Sequence, residues 1–308
     1  MKHNEHYSVQ KDNAISNLNI KPDGIYVDCT FGRGGHSLEI LKLLNKKGKL
    51  ISIDRDKDAY DYYLNSFPKY ENHIFVCDKF SNLDQILKDN NIDKVNGFLY
   101  DFGVSSPQLD NKDRGFSYKL DARLDMRMNQ EDKLDALYVV NNYSKSDLIN
   151  IFRKYGEINN PVYVVNAILE NRQKKPIYST LELSEIIKNS VHKKELYQKK
   201  HYARKYFQAI RMEVNDELNE IKKSITIALN HLEHKGRIVT ISFHSLEEKT
   251  IKNCYLEKNT NFIPKEIPIN NLKNEFKIIN VKQKRATKEE TEINHRSRSS
   301  LIKVIERN

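Results

Sequence analysis

The chain has 308 residues, of which 31% are charged, and it carries a formal net charge of +10. That length suffices for two domains and a well-filled core. No apolar run approaches the roughly 18 residues that span a bilayer. The three cysteines, Cys29, Cys77 and Cys254, are far apart and form no C-x-x-C pair. We therefore expect a cytoplasmic protein without a membrane span, a disulfide framework or a metal site.

The first hundred residues predict four strands, each with an aspartate at or near its carboxyl end. Short β-rich runs occupy 25–29, 49–53, 73–77 and 95–100, and helical patterns lie between them. Strands that alternate with helices indicate a parallel, doubly wound α/β sheet. Ligands of such sheets bind at the carboxyl ends of the strands, where these aspartates are expected.

The alternation stops after about residue 110, and the sequence predicts helices only. They are expected near 133–141, 145–154, 161–172 and 180–191, followed by one long amphipathic helix near 205–232. The pairs Ser144/Asp147 and Ser179/Glu182 have the spacing of N-terminal capping boxes. We interpret 110–212 as a helical insertion. A fifth strand at 237–243, a helix at 246–257, a loop at 258–274 and strands at 276–281 and 299–305 would complete the sheet.

A glycine-rich loop, residues 28–37 with the sequence DCTFGRGGHS, follows the first predicted strand. Asp54 lies 20 residues after Gly34, a spacing that suits a carboxylate on a ribose diol. The loop lacks the G-x-G-x-x-G pattern and a Walker lysine, which argues against a nicotinamide cofactor and ATP. A simple tight turn remains the alternative interpretation, and a dehydrogenase shares the strand–loop–helix–Asp layout.

Two further side chains near this predicted edge have a functional and a structural interpretation. Phe80 would stack on an adenine ring or belong to the core. Asp101, at the end of the fourth predicted strand, would face a ligand or cap the next turn, and a buried carboxylate needs some partner.

The positive charge is concentrated in two segments. From Lys188 to Arg211 there are eight basic residues and one acidic residue, and from Lys273 to the end there are ten and five. This distribution favours a nucleic-acid partner over a generally lysine-rich solvated surface. The expected phosphate contacts are Arg204, Lys205, Arg211, Arg296 and Arg298. A non-catalytic RNA-binding protein would also explain the charge, but not the glycine loop with Asp54.

Seven ordered motifs resemble those of the small-subunit ribosomal RNA (cytosine-N4)-methyltransferases, the RsmH/MraW family, from about His6 to Arg307. The matching segments are Pro22–Asp28 with Thr30–Ser37, Asp101–Asp110, Arg114–Ser117, Leu124–Met128, Phe207–Arg211, Ile241–Glu247 and Arg298–Ser300.

This resemblance implies an enzyme with a class I (Rossmann-like) methyltransferase sheet and an inserted all-helical domain. The catalytic domain would comprise 1–109 and 213–308, and 110–212 would recognise substrate. The implied reaction is methyl transfer from S-adenosyl-L-methionine to the N4 amine of a cytidine in the decoding region of 16S ribosomal RNA. A homodimer is a further implication. The implied cofactor contacts are Gly34, Gly35, His36, Asp54, Phe80, Asp101 and Gln108.

The segment after Asp101 is where an acceptor for the cytosine amine is expected. Ser105-Ser106-Pro107-Gln108 is similar to the Ser/Asp/Asn-Pro-Pro-aromatic motif of other amino-methyltransferases, but it lacks the aromatic residue. We predict Ser105 and Ser106 as catalytic candidates, with helix capping as the alternative, and His244 as a third. An amino-methyltransferase that acts on DNA or on tRNA shares this chemistry and remains an alternative.

Overall fold

The computed structural model describes residues 8–197, 200–260 and 274–308. Their strands form one seven-stranded sheet and are β1 (Ile25–Asp28), β2 (Lys49–Asp54), β3 (His73–Cys77), β4 (Val95–Asp101), β5 (Leu232–Ser242), β6 (Phe276–Ile279) and β7 (Leu301–Arg307). Their order in the sheet is β3-β2-β1-β4-β5-β7-β6. The first five strands in this order are parallel to one another, and β7 runs antiparallel to both β5 and β6.

The α-helices of the described residues are, in chain order, α1 (Lys11–Leu18), α2 (Gly35–Leu43), α3 (Lys57–Asn65), α4 (Leu83–Asp89), α5 (Ser106–Asp110), α6 (Ala136–Asn142), α7 (Lys145–Lys154), α8 (Val162–Lys174), α9 (Thr180–Ser190), α10 (Lys193–Leu196), α11 (Arg204–Val214), α12 (Glu217–His231), α13 (Ser245–Thr260) and α14 (Lys288–Ile293). None of them is long and apolar enough to cross a membrane.

The chain forms two compact units. The sheet unit comprises Met1–Gly103 and Leu218–Asn308, and the helical unit comprises Val104–Glu217. The insertion expected from the sequence, 110–212, falls within the helical unit. That its role is substrate recognition stays a prediction.

Both faces of the sheet are covered, because alternate residues of each strand point to opposite sides. In β1, Val27 belongs to a core beneath α4, α12 and α13, whereas Tyr26 belongs to a second core beneath α1 and α2. In β4, Phe98 and Leu99 divide in the same way, and all four side chains are almost completely buried. This arrangement, one sheet with helices on both faces, confirms the predicted doubly wound α/β fold.

Two features of the predicted topology are wrong in detail. The fifth strand begins at Leu232, five residues before the predicted start, and pairs with β4 across a register shift near Gly97. The single long helix predicted near 205–232 is two helices, α11 and α12. Asp216 has a left-handed backbone with φ of 49°, which ends regular helical geometry between them.

In the helical unit, the described residues include no strand beyond one isolated bridge between Arg123 and Ser179. Both predicted capping boxes are present. Ser144 caps α7 together with Asp147, and Ser179 caps α9 together with Glu182. The predicted loop at 258–274 overlaps the end of α13 at Thr260, and residues 261–273 lie outside the described residues.

Candidate functional site

Three aspartates end neighbouring parallel strands of the sheet unit. Asp54, Asp28 and Asp101 close β2, β1 and β4, which are adjacent in that order. Carboxyl ends of parallel strands share one edge of the sheet, so the three carboxyl groups gather there. A fourth aspartate, Asp78, follows β3 and accepts hydrogen bonds from the Lys79 amide and the Asn82 side chain. It caps a local turn.

The glycine-rich loop between β1 and α2 lies directly against Asp54. The backbone N–H of Gly32 donates a hydrogen bond of 2.7 Å to Asp54 Oδ2. Gly32 and Gly34 are left-handed, with φ of 55° and 71°, a conformation that suits glycine. A Cβ on Gly34 would also clash with the ring of Phe67. The loop therefore requires glycine, and it brings backbone close to where a ligand is expected.

The carboxylate of Asp54 is held by the glycine-rich loop and by the backbone that follows β2. Its Oδ1 accepts a 2.9 Å hydrogen bond from the Asp56 amide. Burial raises the pKa of Asp54 to about 6, and the two backbone hydrogen bonds from Asp56 and Gly32 oppose that rise. A carboxylate held in this way keeps lone pairs that can accept ligand hydroxyls.

A buried hydrogen-bonded chain supports the loop from beneath. Ser37 Oγ donates to Asp28 Oδ2 at 2.6 Å and contacts Ser52 Oγ at 2.8 Å, and Ser52 in turn contacts His73 Nε2 at 2.8 Å. The chain joins β1, α2, β2 and β3. These hydrogen bonds therefore fix the position of the start of α2 relative to the three strands.

His36 is also part of the loop's support. Its side chain is buried, and Nε2 lies 3.0 Å from the Val9 carbonyl oxygen. Burial lowers the pKa of His36, which favours a neutral ring that donates to that carbonyl. The imidazole thus ties the N-terminal segment to the loop through Nε2.

Asp101 is the least satisfied group at this edge. Its amide donates a 2.7 Å hydrogen bond to Thr30 Oγ1, which ties β4 to the glycine loop. Its side-chain Oδ1 is buried and has no hydrogen-bond partner among the described residues. Burial raises the pKa of Asp101 to about 7, and the charges of Asp28 and Glu247 raise it further. A buried acceptor without a donor points to a ligand that supplies one.

Phe80 lies in a 3₁₀ turn after β3 and is partly buried. Its ring makes edge contacts with Tyr100 and Phe102, at centroid distances of 6.0 and 6.1 Å. It packs against the core beneath α4. The core interpretation therefore describes part of what Phe80 does, and its contact with an adenine ring stays a prediction.

The comparison with known proteins now identifies the family. A family model described as the MraW methylase family matches residues 3–308. This chain belongs to that family.

Named members of the MraW family match over nearly the full chain. The ribosomal RNA small subunit methyltransferase H of Malacoplasma penetrans (strain HF-2) is 60% identical over 304 residues, which cover 99% of this chain and 97% of that protein. The protein of the same name from Ureaplasma urealyticum serovar 10 is 51% identical over 308 residues and covers both chains completely. The one from Clostridium botulinum (strain 657) is 46% identical over 303 residues, which cover 97% and 98%. Membership of a methylase family sets aside the dehydrogenase interpretation.

The serine candidates of this MraW chain lie at the start of α5, in the helical unit. Ser105 is the N-cap of α5: its hydroxyl accepts from the Gln108 amide, and Gln108 Oε1 accepts from the Ser105 amide at 2.9 Å. The capping alternative therefore describes part of what Ser105 does. Ser106 is partly buried, and within the described residues its hydroxyl has no hydrogen-bond partner. Ser106 is thus the serine whose hydroxyl is available.

His244 lies between β5 and α13 in the sheet unit, beside a glutamate that the sequence interpretation overlooked. Glu247 is buried, and its Oε2 accepts from the Phe243 and His244 amides at 2.7 and 3.3 Å. His244 Nε2 lies 3.0 Å from Glu247 Oε1, but the ring N–H does not point at that oxygen. Both ring nitrogens lack a hydrogen-bond partner among the described residues. The three-residue spacing of His244 and Glu247 at the start of α13 was the sequence signal that could have indicated this contact.

The predicted phosphate contacts differ in what they already bind. Lys205 is exposed, and its Nζ reaches only the Glu157 carbonyl at 3.1 Å. Arg211 instead forms a two-pronged ion pair with the buried Glu217, at 2.7 and 2.8 Å. That pair occupies the Nε–Nη2 edge, which is one of the two bidentate edges of the guanidinium. The ion pair gives Arg211 a structural role, and its contact with RNA stays a prediction.

The remaining basic candidates lie in both units. Arg204 is partly exposed at the start of α11 in the helical unit. Arg296 and Arg298 lie in a 3₁₀ turn, His295–Ser299, before β7 in the sheet unit, and Arg298 is exposed. Within the sheet unit, contacts join the loop, Asp54 and Asp101. Their roles toward ligands stay predictions.

Proposed function

We propose that this chain transfers a methyl group from S-adenosyl-L-methionine to the N4 amine of a cytidine in the decoding region of 16S ribosomal RNA. The proposal rests mainly on the buried, unpartnered Asp101 Oδ1 beside a glycine loop. Membership of the MraW methylase family supports it. So do the names of the relatives, which are ribosomal RNA small subunit methyltransferases.

The residues at the sheet edge fit this cofactor. Asp54 would accept hydrogen bonds from the ribose hydroxyls, and Asp101 Oδ1, which has no partner among the described residues, would accept one from the amino group of the methionine part. Gly34 and Gly35 would let the backbone approach the cofactor closely, because they have no side chain. A Cβ at either position would also clash with neighbouring side chains. Phe80 would contact the adenine ring.

Two further cofactor contacts are proposed on the family resemblance. His36 would contribute through its backbone, since its ring is bound to Val9. Gln108 belongs to the capping box of α5. We propose that it helps to bind the cofactor as well as to start this helix.

When bound, the cofactor supplies a methyl group already activated by a positively charged sulfur. The task of the chain is then to hold the N4 amine in line with that methyl, and such orientation can contribute about 7–11 kcal/mol to lowering the barrier. The nitrogen lone pair forms the N–C bond as the C–S bond breaks. The amine must then release one proton, so a hydrogen-bond acceptor beside it is needed.

Ser106 is the preferred acceptor for the amine N–H, because its hydroxyl has no partner among the described residues. Ser105, already part of the α5 cap, is the second choice. His244 is the candidate to take up the released proton. Its ring nitrogens are buried and without hydrogen bonds in the described structure, and Glu247 lies beside them.

A cytidine in folded RNA must be splayed out of its stack to reach such a pocket. We propose that the helical unit recognises the RNA around it. Arg204 and Lys205 would contact phosphates from this unit, and Arg296 and Arg298 would do so from the sheet unit. We propose that the protein acts on these subunits in the cytoplasm. Formation of a homodimer stays a prediction, which light scattering of the purified protein tests.

The deciding experiment is methyl transfer from labelled cofactor to small ribosomal subunits that lack the modification. The expected product, identified by mass spectrometry of nucleosides, is N4-methylcytidine in the decoding region. Duplex DNA assayed in parallel should remain unmodified. Another modified nucleoside, or methylation of DNA in preference to subunits, would overturn the proposal.

A further inference from the structure

Three half-buried rings are stacked in the helical unit. Two of them, His201 and Tyr202, lie immediately before α11, and the third is Tyr118. Tyr118 and His201 are parallel, with centroids 4.4 Å apart and 20° between their planes. His201 and Tyr202 follow at 4.1 Å and 31°. Phe207 of α11 supports the stack, because its ring meets the edge of Tyr118 at 5.7 Å. Tyr118, His201 and Tyr202 therefore form a preformed aromatic layer that packs on the buried ring of Phe207.

The stack differs from the core of this unit in its exposure. Phe207 and Tyr206 are each only 3% exposed, as core rings are. Tyr118, His201 and Tyr202 each keep part of the ring accessible. Within the described residues, neither tyrosine hydroxyl has a hydrogen-bond partner. The stack is therefore an accessible surface on a rigid base.

His201 is held as a neutral ring. Its Nδ1 accepts a hydrogen bond of 3.3 Å from the Ala203 amide, which places the ring proton on Nε2. Burial lowers the pKa of His201, and the charge of Lys119 lowers it further. As the middle ring of the stack, the neutral imidazole places no charge between the two tyrosines, and a base would stack on the outer rings, Tyr118 or Tyr202.

Basic residues flank the three stacked rings in the sequence. Lys119 follows Tyr118 directly, and Lys200 and Arg204 flank His201 and Tyr202. Lys119 and Lys200 are exposed. Aromatic rings with basic side chains around them are the combination by which proteins bind unpaired nucleic acid: rings stack on bases and cations hold phosphates.

We propose that Tyr118, His201 and Tyr202 form a stacking platform for an unpaired base of the substrate RNA strand. Lys119, Lys200 and Arg204 would hold the neighbouring phosphates. This inference rests on the proposed function in that it takes RNA as the substrate.

The test uses the full-length protein and a single-stranded oligoribonucleotide of the decoding region, with 2-aminopurine placed at one position at a time. Stacking on an aromatic ring quenches this base. We expect quenching at a defined position, and roughly 5- to 150-fold weaker binding for His201→Ala and Tyr202→Ala. His201→Phe, which keeps a ring, should restore both the quenching and the affinity. Tyr163→Ala, which removes a 70% exposed ring from α8 of the same unit, is the matched control and should change neither.

Cofactor affinity and thermal melting of each variant separate loss of stacking from loss of folding. If His201→Ala folds and binds the oligonucleotide as the parent does, the platform is refuted, even when the parent methylates subunits normally. If the alanine variants bind intact subunits poorly but the oligonucleotide normally, the occupant is protein and the proposal is equally refuted. Failure of the parent itself to methylate subunits would instead concern the proposed function.

Discussion

The amide of Gly32 donates a 2.7 Å hydrogen bond to Asp54 Oδ2, so the glycine loop after β1 and the carboxylate that ends β2 form one surface. A second bond, from the Asp101 amide to Thr30 Oγ1, ties the end of β4 to the same loop. Three strands are thereby joined at the edge where the cofactor is proposed to bind.

Asp54→Ala should weaken binding of S-adenosyl-L-methionine by about 1.5–3 kcal/mol, the value of a hydrogen bond to a charged group, or roughly 10- to 150-fold. Isothermal titration calorimetry measures this directly. Asp61→Ala removes an exposed aspartate of α3 and should leave the affinity unchanged. An Asp54→Ala protein with the parent's affinity would remove Asp54 from the site.

The stability of the cofactor-free protein should fall as the pH rises from about 4 to about 7, in part because of Asp101. Its pKa is raised from 3.8 to about 7, so in that window the unfolded chain ionises Asp101 while the folded chain keeps the proton. The contribution is fully present below pH 4 and is lost as the pH passes 7. Asp101→Asn should therefore flatten the pH dependence of the unfolding free energy, measured by urea titration.

Ionisation of Asp101 should also strengthen binding of the cofactor. An ionised Asp101 attracts an amino group, so cofactor affinity should rise toward pH 7 in the parent and stay flatter in Asp101→Asn. Asp93→Asn, an exposed position before the opposite end of β4, is the control and should behave like the parent in both measurements. Identical profiles for the parent and Asp101→Asn would show that this carboxyl group does not titrate as described.

The two serines should separate chemistry from folding. Ser106→Ala should lower the single-turnover rate at saturating cofactor by about 10- to 100-fold, as expected for one lost hydrogen bond in the transition state, with the affinities unchanged. Ser105→Ala removes the cap of α5 and should cost about 0.5–2 kcal/mol of stability. If Ser106→Ala transfers methyl at the parent's rate, Ser105 and then His244 become the candidates to examine.

Neutralising Arg204 and Lys205 should raise KM for small subunits and lower the salt dependence by up to about one slope unit per lost phosphate contact. Neutralising the exposed Lys46 and Lys47 of the sheet unit is the matched control. Cofactor affinity should not change in either variant. An unaltered salt slope would mean that Arg204 and Lys205 are only solvated.

Arg211→Ala should act differently from those two. It leaves the buried Glu217 without its charge partner and should destabilise the protein by roughly 3–5 kcal/mol. Chemical denaturation measures that loss. A salt-dependence change without loss of stability would restore Arg211 as an RNA contact.

Local patterns determined the parts of this protein that depend on neighbours along the chain. β1 to β4 lie where β-rich runs meet an aspartate, and α7 and α9 begin at Ser144 and Ser179, because a strand end or a helix cap uses residues within a few positions. The family was likewise predicted from the ordered motifs of the sequence, and the match to the family model confirms the family.

Only the tertiary structure decided the features that depend on distant partners. The predicted helix at 205–232 breaks after Asn215, whose side chain bonds the backbone of Met126 and Met128, some 87 positions away. Charge counting could not reveal that Arg211 is neutralised by Glu217, nor that Asp101 Oδ1 is buried without a donor. Hydrogen bonds and burial are properties of three-dimensional surroundings. The sequence names the groups, and the fold decides which of them are already satisfied and which remain for a ligand.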